Sequence, residues 1–196
     1  MDSPLAADQA IQNALNQAID LLVQRQRELA IWDKPTKADF LAWFGTVSDP
    51  ARREIQERIR LEIVKMKGFT VENFVAVSEK TKGYQKIFAQ VTPDRRKGNY
   101  ERIVEIGPQF KDADETTRAG TLIHELSHFW SVQETEDVQS CKIYRTFYSD
   151  RPQTMEDCAV YEYGPALMLA RRDPKMALMN ADNFEFFVER HDPNDP

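Results

Sequence analysis

Positive charge, cysteine, histidine and long apolar runs are all scarce in this chain, and each shortage excludes something. With 26 basic against 32 acidic side chains and a formal charge of −6, the chain does not suit nucleic acid or an anionic membrane surface through bulk charge. The local run Asp94-Arg95-Arg96-Lys97 reads as a solvated turn. Two cysteines, Cys141 and Cys158, do not build a disulfide-dense scaffold. No stretch reaches the ~18–20 apolar residues of a membrane span. The opening Met1-Asp2-Ser3-Pro4 lacks the basic and apolar regions of a secretory signal. The expectation is export without a visible signal, or from a trimmed precursor, with a cytoplasmic protein as the alternative. No internal repeat or low-complexity tract divides the 196 residues.

What is present is a hydrophobic fraction of 41% that includes 11 Phe, 3 Trp and 6 Tyr, enough for one sizeable core and a single domain over 1–196. Ile11, Leu15, Ile19, Leu22 and Val23 recur at helical spacing and predict a long amphipathic helix from Pro4 to about Ile31. Thr36 as N-cap and Gly45 as terminator predict a short helix. Asp49-Pro50 opens a third that runs to Gly68 with Ile55, Ile59, Ile63 and Met66 inward. A helical front part thus covers about 4–68.

From about 70 to 106 the pattern turns to short β-leaning runs, Asn73–Val77, Lys86–Val91 and Tyr100–Ile106, which predict a small antiparallel sheet. Cap residues between Asp112 and Thr117 precede a helix carrying Ala119, Leu122, Ile123, Leu126 and Phe129. Helical patterns return at about Glu156–Arg172 and Pro174–Arg190, where Phe184, Phe186, Phe187 and Val188 read as core. His191 falls in a polar, solvent-exposed tail. The class is α+β, predominantly helical.

Two of the three histidines stand in His124-Glu125-Leu126-Ser127-His128, an H-E-x-x-H pattern on a predicted helix. Residues four apart share a helical face, so both imidazoles can reach one Zn²⁺ while Glu125 on the adjoining stripe meets a water beside it. A catalytic zinc needs a third protein ligand and an open position. The continuation H-x-x-G-x-x-H fails, because Ser131 and Glu134 stand where its glycine and last histidine would be. Asp137, nine residues beyond His128, can return to the helix end by a loop. Glu156, Asp157 or Glu162 on the later helix offer a gluzincin-like alternative.

Three stretches resemble the aspzincin family of zinc metallopeptidases, which includes deuterolysin and the peptidyl-Lys metalloendopeptidases. Ala119–Phe129 is similar to the family's active-site helix. Thr135-Glu136-Asp137 matches its Gly-Thr-x-Asp ligand loop, with Glu134 in place of the glycine. Met179-Asn180-Ala181-Asp182-Asn183-Phe184-Glu185-Phe186-Phe187 resembles the helix that closes its substrate cleft. The resemblance spans about Thr116–Glu189, with weaker similarity at Trp43-Phe44-Gly45. It implies a zincin-like fold, one Zn²⁺ held by His124, His128 and Asp137, Glu125 as general base and acid, and a protein or peptide substrate.

The chain departs from the family in one respect. The family continues its ligand as Asp-x-x-Tyr-Gly, whereas Asp137 is followed by Val138-Gln139-Ser140-Cys141 and Tyr163-Gly164 comes 26 residues later. An insertion at about 138–160 accounts for this, and Tyr163 is then the expected oxyanion donor, with Tyr144 and Tyr148 in reserve. Cys141 and Cys158 flank the insertion; a bridge would stabilise it by roughly 3 kcal/mol, the alternative being two free thiols. Asp182 and Glu185, three apart on one helical face, lie by resemblance at the pocket for the residue after the scissile bond, where two carboxylates would favour lysine. A binding or effector protein on the same fold with little peptidase activity is the competing class.

Overall fold

A computed structural model describes residues 4–92, 101–138 and 163–193. The cysteines, Tyr144, Tyr148, Glu156, Asp157, Glu162 and the basic run at 94–97 lie outside the described residues.

The first helix, α1 (Pro4–Ile31), matches its expected span. Its inner stripe is Ala14, Leu15, Ala18, Leu22 and Leu29, at the three- and four-residue steps that a 3.6-residue helix requires. Next comes α2 (Lys34–Phe44), whose N-cap is Asp33 rather than Thr36: the Asp33 carboxylate accepts the Thr36 N–H at 2.9 Å. A carboxylate caps a helix end better than a threonine already inside the first turn. Gly45 ends the helix at φ 66°, and a Cβ there would lie 1.8 Å from the Ala170 carbonyl oxygen. Glycine therefore both makes the left-handed turn and allows close approach to a later helix. In α3 (Asp49–Lys67) the cap is Ser48, with Asp49 and Pro50 already helical. The expected apolar residues Ile55, Ile59, Ile63 and Met66 are buried there, and so are Arg58 and Glu62.

The sheet has three short strands, β1 (Phe74–Ala76), β2 (Ala89–Gln90) and β3 (Val104–Ile106), in the order β1-β3-β2. The expected antiparallel pairing holds for β2 with β3, where Ala89 faces Ile106. β1 joins β3 in parallel, Phe74 facing Val104, so the sheet is mixed. The connection from β1 to β3 runs through a 3₁₀ turn at Tyr84–Lys86 and then β2, and is long enough to allow the parallel register.

Two helices follow the sheet, α4 (Pro108–Asp112) and α5 (Glu115–Ser127), the latter capped by Asp114 on the Thr117 N–H. α6 (Tyr163–Arg172) comes next. The expected single helix over 174–190 is instead two, α7 (Pro174–Met179) and α8 (Ala181–Glu189). They are parted at Asn180, which takes extended dihedrals of φ −84° and ψ 128°.

α5 lies at the centre, packed on α1, α3, α8 and the β2 edge. The core joins Trp43, Phe44, Ile59, Leu122, Leu126, Phe184 and Phe187 in one cluster. Each fully buried aromatic there is worth about 2–3 kcal/mol of transfer free energy, so the central position of α5 rests on hydrophobic packing from three sides.

Candidate active site

The site starts from the C-terminal half of α5, where His124, Glu125 and His128 are all nearly inaccessible. Past Ser127 the chain makes a 3₁₀ turn at Trp130–Val132 and then two consecutive left-handed residues, Gln133 (φ 82°) and Glu134 (φ 47°). The pair reverses the chain. Glu134 thus occupies, at some steric cost, the conformation that a glycine would take without strain.

After the reversal, Thr135 donates its N–H to the Ser127 carbonyl at 3.0 Å, and the two hydroxyls meet at 2.5 Å. Glu136 pairs in a parallel bridge with Asn180. Its N–H reaches the Met179 carbonyl at 2.8 Å and its own carbonyl accepts the Ala181 N–H at 3.0 Å. The Val138 N–H donates to Asn180 Oδ1 at 3.0 Å. Asp137 is therefore flanked on both sides by residues hydrogen-bonded to the α7–α8 elbow, Glu136 to its backbone and Val138 to the Asn180 side chain.

This brings three ligand-type atoms together. Asp137 Oδ1 lies 3.0 Å from His124 Nε2 and 2.9 Å from His128 Nε2. Atoms bound tetrahedrally at about 2.0 Å from one ion stand about 3.3 Å apart, so small outward movements would admit zinc. The opposite ring nitrogens are committed elsewhere. His128 Nδ1 donates to the Thr135 carbonyl at 2.9 Å, and His124 Nδ1 lies 3.0 Å from Glu185 Oε2 and 3.2 Å from Asp182 Oδ1. With each Nδ1 acting as the donor, both Nε2 lone pairs face a carboxylate oxygen, an arrangement that calls for positive charge between them. A proton or a metal ion can supply it.

The titration behaviour agrees. Burial disfavours the charged His124 ring, but Asp137, Asp182 and Glu185 outweigh it and hold the imidazole well above the usual histidine range. Burial would raise the Asp137 carboxyl, yet hydrogen bonds from His124 and His128 hold it far below the carboxylate range. Burial pushes Glu125 and Asp182 up, the histidine charges countering only in part.

Glu125 is held by the Val91 N–H, which donates to its Oε2 at 2.7 Å from the end of β2. It opens onto a cavity of about 280 Å³ lined also by Phe88, Thr117, Thr121, His124, Glu185 and Phe186. A larger hollow of about 620 Å³ beside α2 and α6 shares none of these residues. Phe186, expected in the core, packs against it partly buried and also forms a wall of the pocket.

Tyr163 opens α6. Its hydroxyl donates to the Asp192 carbonyl, and its ring packs on Trp43, Phe186 and His191. Phe186 is its link to the pocket. His191 is partly exposed as expected, though its ring also packs on Phe186 and its Nε2 lies 2.8 Å from Glu189.

Sequence reasoning missed Thr117, Thr121 and Phe88 as pocket walls and Val91 as the tether of Glu125. The two threonines had a legible signal, since they lie seven and three residues before His124 on α5; Phe88 and Val91 had none, because sheet and helix meet only in the folded chain.

No protein-family model matches the chain. It is 30% identical over 184 residues to an extracellular protease of Aeromonas hydrophila, a match covering 90% of this chain. The chain spans 42% of that relative's length. Among solved structures, a zinc peptidase from Grifola frondosa superposes with a TM-score of 0.69 at 24% identity, covering 96% of this chain and 97% of that one. The chain thus shares the fold of that zinc peptidase.

Proposed function

We propose that the chain is a zinc-dependent endopeptidase of the aspzincin type, binding one Zn²⁺ through His124, His128 and Asp137. The observation that carries this reading is the convergence of two Nε2 atoms and Asp137 Oδ1 within 3.0 Å while both Nδ1 atoms are committed to other acceptors. Asp137 Oδ1 within reach of both rings supports this set over the gluzincin-like alternative, whose candidates lie outside the described residues. Similarity to a zinc peptidase and to an extracellular protease supports hydrolysis of proteins or peptides, and export from the cytoplasm.

Zinc held there would polarise the scissile carbonyl and acidify the attacking water. The remaining work falls to the chain's own groups. Glu125 accepts the proton of the attacking water and passes it to the leaving amine; its raised proton affinity suits that double role. The Val91 N–H keeps the Glu125 carboxylate turned into the cavity. Asp182 and Glu185 orient the His124 ring, and Glu185 in the cavity wall presents negative charge to a substrate lysine. For Tyr163 to act as oxyanion donor, its hydroxyl must exchange Asp192 for the substrate.

The test is turnover of Lys-containing peptides together with zinc content, in the wild type and in Glu125→Gln. The reading requires cleavage that a chelator abolishes and zinc restores, with Glu125→Gln retaining zinc and losing turnover by at least ~10²-fold. An active Glu125→Gln protein would overturn the assignment, and cleavage without enrichment of Lys after the cut would remove the specificity.

A further inference from the structure

α3 carries two ionisable groups in a face that is otherwise apolar. Arg58 and Glu62, one helical turn apart, are both completely buried, where charged side chains are rare unless they are paired. Arg58 Nη1 donates to the Leu178 carbonyl at 2.6 Å, and its guanidinium lies 5.4 Å from the Phe184 ring centroid. Its nearest carboxylate is Glu54, at 3.7 Å. Among the described residues neither oxygen of Glu62 has a hydrogen-bond partner.

The Leu178 carbonyl lies in the last turn of α7, where no N–H of the same helix can reach it. A cation at that end also meets the negative pole of the backbone dipoles. Directly after Leu178 come Met179, Asn180 and Ala181, the three residues whose backbone and side-chain atoms bracket Asp137 through Glu136 and Val138. Asp182, beside the His124 ring, follows at once. The elbow is held on its other side by Asn183, which donates to the Trp43 and Ala166 carbonyls. Arg58 is thus the attachment from α3 to the segment that sets both Asp137 and the carboxylates behind His124.

We propose that Arg58 is a positioning residue for the metal site, acting through the Leu178 carbonyl on the α7–α8 elbow and so on Asp137. The proposal rests on the reading of Asp137 as a ligand. Partners bonded directly to a metal ligand typically govern affinity by 10–100-fold; Arg58, which reaches Asp137 only through Leu178 and the elbow, is expected at the low end of that range. Burial holds the Glu62 carboxyl well above the usual carboxylate range, the charges of Arg58 and His124 countering only in part; because Glu62 lies near enough to His124 for that, Glu62→Leu alone is the control for any variant that removes both residues.

The experiment measures zinc dissociation constants by competition with a chromogenic chelator, and melting of the metal-free protein, in Arg58→Met, Arg58→Lys, Glu62→Leu, the double variant Arg58→Met/Glu62→Leu, and Asp137→Ala. Arg58→Met should melt lower, since it removes the donor to the Leu178 carbonyl and leaves Glu62 buried without the neighbouring cation, and bind zinc about 10-fold more weakly. The double variant removes both buried charges and should recover the melting temperature while zinc binding stays weak; Arg58→Lys, which keeps a donor, should recover part of the affinity. Zinc affinity in the double variant equal to that of Glu62→Leu would overturn the proposal and leave Arg58 a purely structural residue. Wild-type affinity in Asp137→Ala would overturn the ligand assignment itself, and this proposal with it. Should Arg58→Met fail to fold, the double variant and Arg58→Lys decide the question.

Discussion

Replacing Gly120 by alanine sets helix propensity against tertiary packing. In a helix interior the change ordinarily gains about 1 kcal/mol. Here the added Cβ would lie 1.8 Å from Glu189 Oε1 and 2.9 Å from Glu185 Oε1. Glu189 cannot swing aside freely: its side chain is 5% exposed and its other oxygen is paired with His191 at 2.8 Å. Displacing a packed side chain costs about 1–3 kcal/mol. The net expectation is a loss of up to about 2 kcal/mol, or up to about 8 °C in Tm for a chain of this size. Because Glu185 also lies 3.0 Å from His124 Nδ1, zinc binding should weaken as well. The assay is thermal melting of the metal-free protein in a double-mutant cycle with Glu189→Ala. In the Glu189→Ala background the clash is relieved and Gly120→Ala should be neutral or stabilising, a coupling of at least ~1 kcal/mol. If Gly120→Ala stabilises the wild type, or shifts Tm equally in both backgrounds, the packing argument fails.

Three further predictions follow from particular groups. Burial, with Glu185 and Asp114 nearby, pushes the Glu189 carboxyl up to about 9 from a reference of 4.5; the folded state therefore binds the proton more tightly, and this contribution is complete below about 4.5 and lost as pH rises toward 9. Glu189→Gln should accordingly melt higher than the wild type at pH 8, by about 1–3 kcal/mol in stability, and match it near pH 4; an equal offset at both pH values would refute the titration. At Glu134, held at φ 47°, a valine should destabilise by about 1–2 kcal/mol more than a glycine, as read from urea unfolding; equivalence would show that the left-handed turn is not a constraint. Zinc at a thousand times its dissociation constant should stabilise the wild type by about 4 kcal/mol, and Asp137→Ala should lose that increment in a melting titration; an unchanged increment would take Asp137 off the metal.

The helices were legible where the apolar period was long, as in α1 and α3, because burial of one stripe depends on local spacing alone. Caps were less so: Asp33 and Ser48 compete with neighbours of similar chemistry, and the choice between them is made by one hydrogen bond in the folded chain. The division of the final helical run at Asn180 was hidden for a related reason. Ala177–Val188 has no helix breaker of its own, and the extended residue is stabilised by its bridge to Glu136, more than forty residues earlier in the chain.

The same division separates the parts of the site. His124, Glu125 and His128 share a helix, so a four-residue spacing was enough to place them, and the sequence by itself determined that these groups could meet one metal ion. Whether Asp137 could join them depended on two left-handed residues and on bonds to the α7–α8 elbow, which tertiary structure alone supplies. The partners of the two Nδ1 atoms, the Val91 tether on Glu125 and the buried Arg58 were likewise decided by packing between distant segments. The physical reason is one of range: helical periodicity orders side chains within a few residues, whereas orienting a ligand set takes hydrogen bonds from helices and strands brought together only when α5 is buried on three sides.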